Sequence, residues 1–113
     1  MQIKELLQEA HDTAIEKGWW DLPDRNVPEL LALIHSEVSE ALEAYRDVGI
    51  EQLDRVWYDE TGYKPEGFTI ELADVLIRIA DLCGEFNLDL ESALTEKMAF
   101  NKTRPYRHGN KVA

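Results

Sequence analysis

A chain of 113 residues, 44% of them hydrophobic, has room for one compact core rather than two. Its net charge of −11 runs against holding a nucleic-acid polymer, whose phosphates call for clustered Lys and Arg, and no stretch nears the ~18 uninterrupted apolar residues of a membrane span. The single cysteine, Cys83, has no partner for an internal disulfide; within the apolar run IADLC it reads as a small buried hydrophobe of a reducing compartment. With no export signal in the opening residues, the expected location is the cytoplasm.

Ile3, Leu6, Leu7, Ala10, Ala14 and Ile15 recur at helical intervals, which predicts a first helix ending near Gly18. The following GWWDLPDRN gathers turn-forming residues around two adjacent tryptophans. Asn26 can cap a second helix in which Pro28 has no amide hydrogen to lose, and an apolar stripe from Leu30 through Val38 to Tyr45 carries it to Gly49. Residues 49–68 read as a connecting loop with a short helical turn near Glu51 to Val56. A third helix is expected from about Thr69, as ELADVLIRIADLCGEF, and Asp89 caps a fourth that should stop before Pro105. No alternating run of strand length interrupts this pattern, so the expectation is an all-α, four-helix bundle over residues 1–113.

Charge is distributed unevenly along that plan. All 23 acidic residues lie within positions 1–96, whereas 97–113 hold Lys97, Lys102, Arg104, Arg107 and Lys111 and no acid. The basic tail over 102–113 reads either as a solvated extension that offsets the body's charge or as an anion-binding segment.

Two acid pairs stand out inside the most apolar helical stretches. Glu37 and Glu40 in HSEVSE share a helix face, as do Glu71 and Asp74 in ELAD. Acids at this spacing commonly line a solvated face. Two such pairs on consecutive helices could instead surround a hard divalent cation, for which Mg²⁺ is the natural choice and Mn²⁺ the alternative. Di-iron and di-manganese bundles pair Glu with His at this spacing, and here the partner residues are Glu40 and Asp74, so an oxygen-only site is expected. Arg78, one turn beyond Asp74, is open to two readings: a phosphate contact or a partner for Asp81.

The ordered motifs E37-V-S-E40, E71-L-A-D74 and K97-M-A-F-N101-K-T-R104-P-Y resemble those of the MazG-like all-α nucleoside triphosphate pyrophosphohydrolases, over roughly residues 20 to 108. The resemblance implies that Glu37, Glu40, Glu71 and Asp74 bind Mg²⁺ and that a nucleotide is cleaved between its α and β phosphates, releasing a monophosphate and pyrophosphate. It makes Lys97, Asn101, Arg104 and Arg107 phosphate-binding residues and Trp20 the base-stacking aromatic, with Trp19 an equal alternative. It also implies a homodimer, or a pair of dimers, that completes the core. The expected substrate is a free (deoxy)nucleoside triphosphate, with a nucleotide-pool-cleaning role. Rivals are phosphoribosyl-ATP hydrolysis on a related scaffold and a non-catalytic helical interaction module. Where many members carry a further Glu just before the first motif this chain has Ser36, so the water-activating base is left open.

Overall fold

The structure, a computed structural model, describes residues 1–106. Four helices make an all-α fold: α1 (Ile3–Glu16), α2 (Val27–Val48), α3 (Phe68–Glu85) and α4 (Leu90–Thr103). Local chemistry sets their ends. Gly18 takes the left-handed conformation just past α1, with φ of 82°. Asn26 Oδ1 accepts the Glu29 amide at 2.9 Å to open α2, and Asp89 Oδ1 accepts the Ser92 amide at 3.0 Å to open α4. α4 closes at Thr103, ahead of Pro105.

The connection between α2 and α3 is more ordered than a plain loop. A 3₁₀ turn at Ile50–Gln52 leads to an antiparallel hairpin of two-residue strands, β1 (Trp57–Tyr58) and β2 (Pro65–Glu66), with Trp57 opposite Glu66. Strands this short leave no alternation for the sequence to display, and side chains hold the ribbon instead. Trp57 Nε1 donates to Glu66 Oε2 at 3.0 Å, and Thr69 Oγ1 donates to the Leu53 carbonyl at 2.8 Å, tying the connection to the start of α3. Gly67, between the hairpin and α3, has φ of 137°, and a Cβ there would collide with the Arg55 carbonyl oxygen.

α3 packs against both α1 and α2. The buried apolar residues are mostly small, namely Ala10, Leu30, Ala41, Ala44, Ala80 and Cys83, which lets the helices approach closely. Burial pushes the Cys83 thiol above its ordinary pKa, as expected of an inert core cysteine. At Gly84 the approach is tightest: an added Cβ would lie 2.6 Å from the Cβ of His11 on α1. α4 differs from the other three helices, meeting the rest of the molecule mainly through α1 and burying none of its residues. Leu31, Val38, Leu42 and Tyr45 share an exposed face of α2, and Leu72 and Leu76 are exposed on α3. Among the described residues no helix is long and apolar enough to cross a membrane.

Candidate functional site

Because α2 and α3 lie side by side, the acids that each helix presents at three-residue spacing meet across the interface. Ligand oxygens of Glu37, Glu71 and Asp74 all lie within 4.8 Å of one another. Glu37 is only 8% exposed, which removes it from any solvated face. Its Oε1 accepts from Arg78 Nε at 2.7 Å, so Arg78 pairs with Glu37 rather than with Asp81. The other oxygen of Glu37 and one oxygen of Glu71 are buried with no hydrogen-bond partner among the described residues. Glu40 stands at the edge of this trio, exposed on α2 and hydrogen-bonded to Glu71.

The cost of crowding these acids appears in their protonation. Burial, reinforced by the hydrogen bond that protonated Glu71 donates to Glu40 and by the charges of Glu40, Asp74 and Glu37, pushes Glu71 from its ordinary 4.5 up to about 7. Asp74 is raised too, by burial and by the Glu37 charge, with Arg78 and Lys64 pulling the other way. Lys64 comes from the turn of the hairpin, so the connection supplies a positive charge to the site that the sequence reading did not anticipate. A buried acceptor without a donor is costly, and one bound cation would satisfy both orphaned oxygens and relieve the repulsion. The residues therefore fit a cation: three converging carboxylates, all oxygen donors, of the kind hard divalent ions prefer.

Beside the acids opens a cavity of about 820 Å³, within the range of small-molecule sites. Glu37, Asp74 and Arg78 form part of its wall, while Leu6, Ala10 and Ala14 of α1 and Leu33 and Ile77 supply an apolar surface. Trp19, 57% exposed, lines the cavity, and Trp20 does not. The Trp20 indole is instead built into the packing. Its Nε1 donates to Asp81 Oδ1 at 2.9 Å, it makes T-shaped contacts with the rings of His11 and Phe86, and the Arg25 guanidinium lies 4.3 Å from its centroid. Arg25 also donates to the Trp19 carbonyl at 3.1 Å, which fixes the turn between α1 and α2.

The same Asp81 oxygen lies 2.9 Å from His11 Nδ1, and His11 Nε2 lies 3.4 Å from Glu85. Sequence reading overlooked this α1–α3 cluster. Its one available signal was a glycine in the last turn of an otherwise apolar helix, the mark of a close backbone approach.

The basic residues of α4 are not brought to the acids within one chain. Lys97, Asn101 and Arg104 are absent from the cavity wall, and neither cation pairs with an acid among the described residues. Lys97 Nζ and the Arg104 guanidinium lie 5.1 and 5.6 Å from the Phe100 ring. Arg107 lies outside the described residues. Comparison of the chain with protein-family models, with curated proteins and with solved structures finds no match.

Proposed function

We propose that the chain is a Mg²⁺-dependent, MazG-like nucleoside triphosphate pyrophosphohydrolase, in which Glu37, Glu71 and Asp74, with Glu40 at their edge, hold the metal beside the nucleotide. The observation that carries this reading is the pair of buried carboxylate oxygens on Glu37 and Glu71, unpartnered among the described residues and set against Asp74 beside a nucleotide-sized cavity that Glu37 and Asp74 help to line. Acids gathered only as surface charge would be solvated, and a purely structural cluster would have its oxygens satisfied.

The chain's own residues divide the work. When bound, Mg²⁺ would neutralise phosphate charge and favour ionisation of a nearby water. Arg78 holds Glu37 in place at 2.7 Å and presents a guanidinium beside the anionic substrate. In the metal-free chain Glu71, pushed up to about 7, carries a proton near neutral pH, which it would give up on taking the cation. The apolar wall of α1 and Trp19 shelters the nucleoside.

A homodimer belongs to the same proposal. Leu31, Val38, Leu42 and Tyr45 on α2, with Leu72 and Leu76 on α3, form an apolar face of the kind that marks association surfaces. A second copy on that face would cover it, and its α4 would carry Lys97, Asn101 and Arg104 toward the acids of the first. Light scattering should return twice the 13.0 kDa chain mass, falling to a monomer in Leu42→Asp; a wild-type monomer would remove this part of the proposal.

The catalytic reading is tested by incubating the protein with ribo- and deoxynucleoside triphosphates with and without Mg²⁺ and separating the products by ion exchange. Monophosphate and pyrophosphate, formed only with the metal, are expected. Diphosphate and inorganic phosphate, or no turnover of any substrate, would refute it.

A further inference from the structure

Asp81 lies on the same stripe of α3 as Asp74 and Arg78, seven residues beyond Asp74, or ~10 Å along the helix axis. That separation is of nucleoside dimensions, with the proposed metal-binding acids at one end and Asp81 at the other. Both of its described hydrogen bonds fall on a single oxygen: Trp20 Nε1 and His11 Nδ1 each lie 2.9 Å from Oδ1. The second oxygen accepts nothing from any described residue, although Asp81 forms part of the cavity wall. Two rigid aromatic partners therefore fix the carboxylate, and the free oxygen remains as an acceptor for whatever enters.

Resting on the proposal that the cavity takes a nucleotide, we infer that Asp81 determines base specificity, accepting a hydrogen bond from the exocyclic amino group of cytosine, adenine or guanine. An ionised carboxylate only accepts. Thymine and uracil offer it one imide N–H between two carbonyl oxygens, which the carboxylate repels, whereas an amino group meets it without that penalty. Discrimination of this kind is strong because the disfavoured base leaves a partly buried acceptor unpaired. Trp20, which does not itself line the cavity, then acts as a positioning residue through Asp81, and Trp19 supplies the stacking surface.

The test is calorimetric binding, with Mg²⁺ present, of the α,β-imido analogues of dCTP, dATP, dGTP and dTTP to wild type and Asp81→Asn. Wild type should bind the amino-bearing analogues at least about tenfold more tightly than the thymine analogue. Asp81→Asn should bring the four close together by weakening the amino-bearing analogues while leaving thymine unchanged or improved. A merely structural role would weaken all four equally and would overturn the inference. So would equal wild-type affinities or a thymine preference, neither of which depends on the variant folding. The two readings fail separately. Turnover of all triphosphates at one rate would end the role of Asp81 and leave the pyrophosphohydrolase standing, and a base preference in binding without any turnover would do the reverse.

Discussion

Two clusters of acids sit on one stripe of α3, about two turns apart, and they are finished differently. Around Asp81 the donors are in place: Trp20 and His11 reach one oxygen, and His11 also reaches Glu85. Around Glu71 and Asp74 acids outnumber the cations Arg78 and Lys64, and two buried oxygens have no donor among the described residues. The first cluster holds α1 and the tryptophan turn against α3. The second is costly to the protein by itself, and a ligand of opposite charge would offset that cost. Equal formal charge on one helix is thus largely satisfied by packing in one place, with one Asp81 oxygen left over, and left unsatisfied in the other, according to what faces it from the next helix.

The sharpest way to break this contrast is to perturb each cluster in turn. Asp74→Ala should lower triphosphate turnover on the order of a hundredfold or more, the scale of losing a group that organises charge in the reacting complex. The same substitution should leave the metal-free melting temperature unchanged or raise it, since it removes a repelling charge; a normal rate, or a large fall in melting temperature, would mean the cluster is structural. Gly84→Ala should act the other way. Alanine ordinarily stabilises a helix by about 1 kcal/mol over glycine, but here its Cβ would strike His11, so a loss of about 1–3 kcal/mol is expected from denaturant unfolding. A gain would show that α1 and α3 are not so closely packed.

A smaller effect should appear in the pH dependence of the metal-free chain. Glu71 is raised when folded, so its contribution to stability is fully present below about 4.5, its ordinary value, and is lost as pH rises through about 7. Melting temperature should therefore decline across that window more steeply in wild type than in Glu71→Gln. Parallel curves would contradict the assigned crowding.

What could be read from the sequence was whatever repeats within one helix. The caps at Asn26 and Asp89, the stop before Pro105 and the shared faces of Glu37 with Glu40 and Glu71 with Asp74 all follow from local spacing. Spacing does not say which neighbour faces a stripe. Arg78 meets Glu37 across 41 positions, and Asp81 meets His11 across 70, so the choice between Asp81 and a phosphate for Arg78 could not include its observed partner. The adjacent tryptophans were ambiguous for a similar reason: a 3₁₀ turn sends Trp20 into the packing and Trp19 to the cavity. The third motif marked α4 as basic, and only the packing shows that α4 stands away from the acids of its own chain.

The central claim is that the unpartnered carboxylates form a cation site. Its most direct test is calorimetric titration of Mg²⁺ into the nucleotide-free protein at pH 7, in two buffers of different ionisation enthalpy, for wild type and Glu71→Gln. A saturable heat in wild type whose size depends on the buffer is predicted, because the metal must displace the proton that Glu71 carries near its raised pKa, with that buffer dependence lost in the variant. No binding by wild type, or identical binding and proton release in both proteins, would contradict the account.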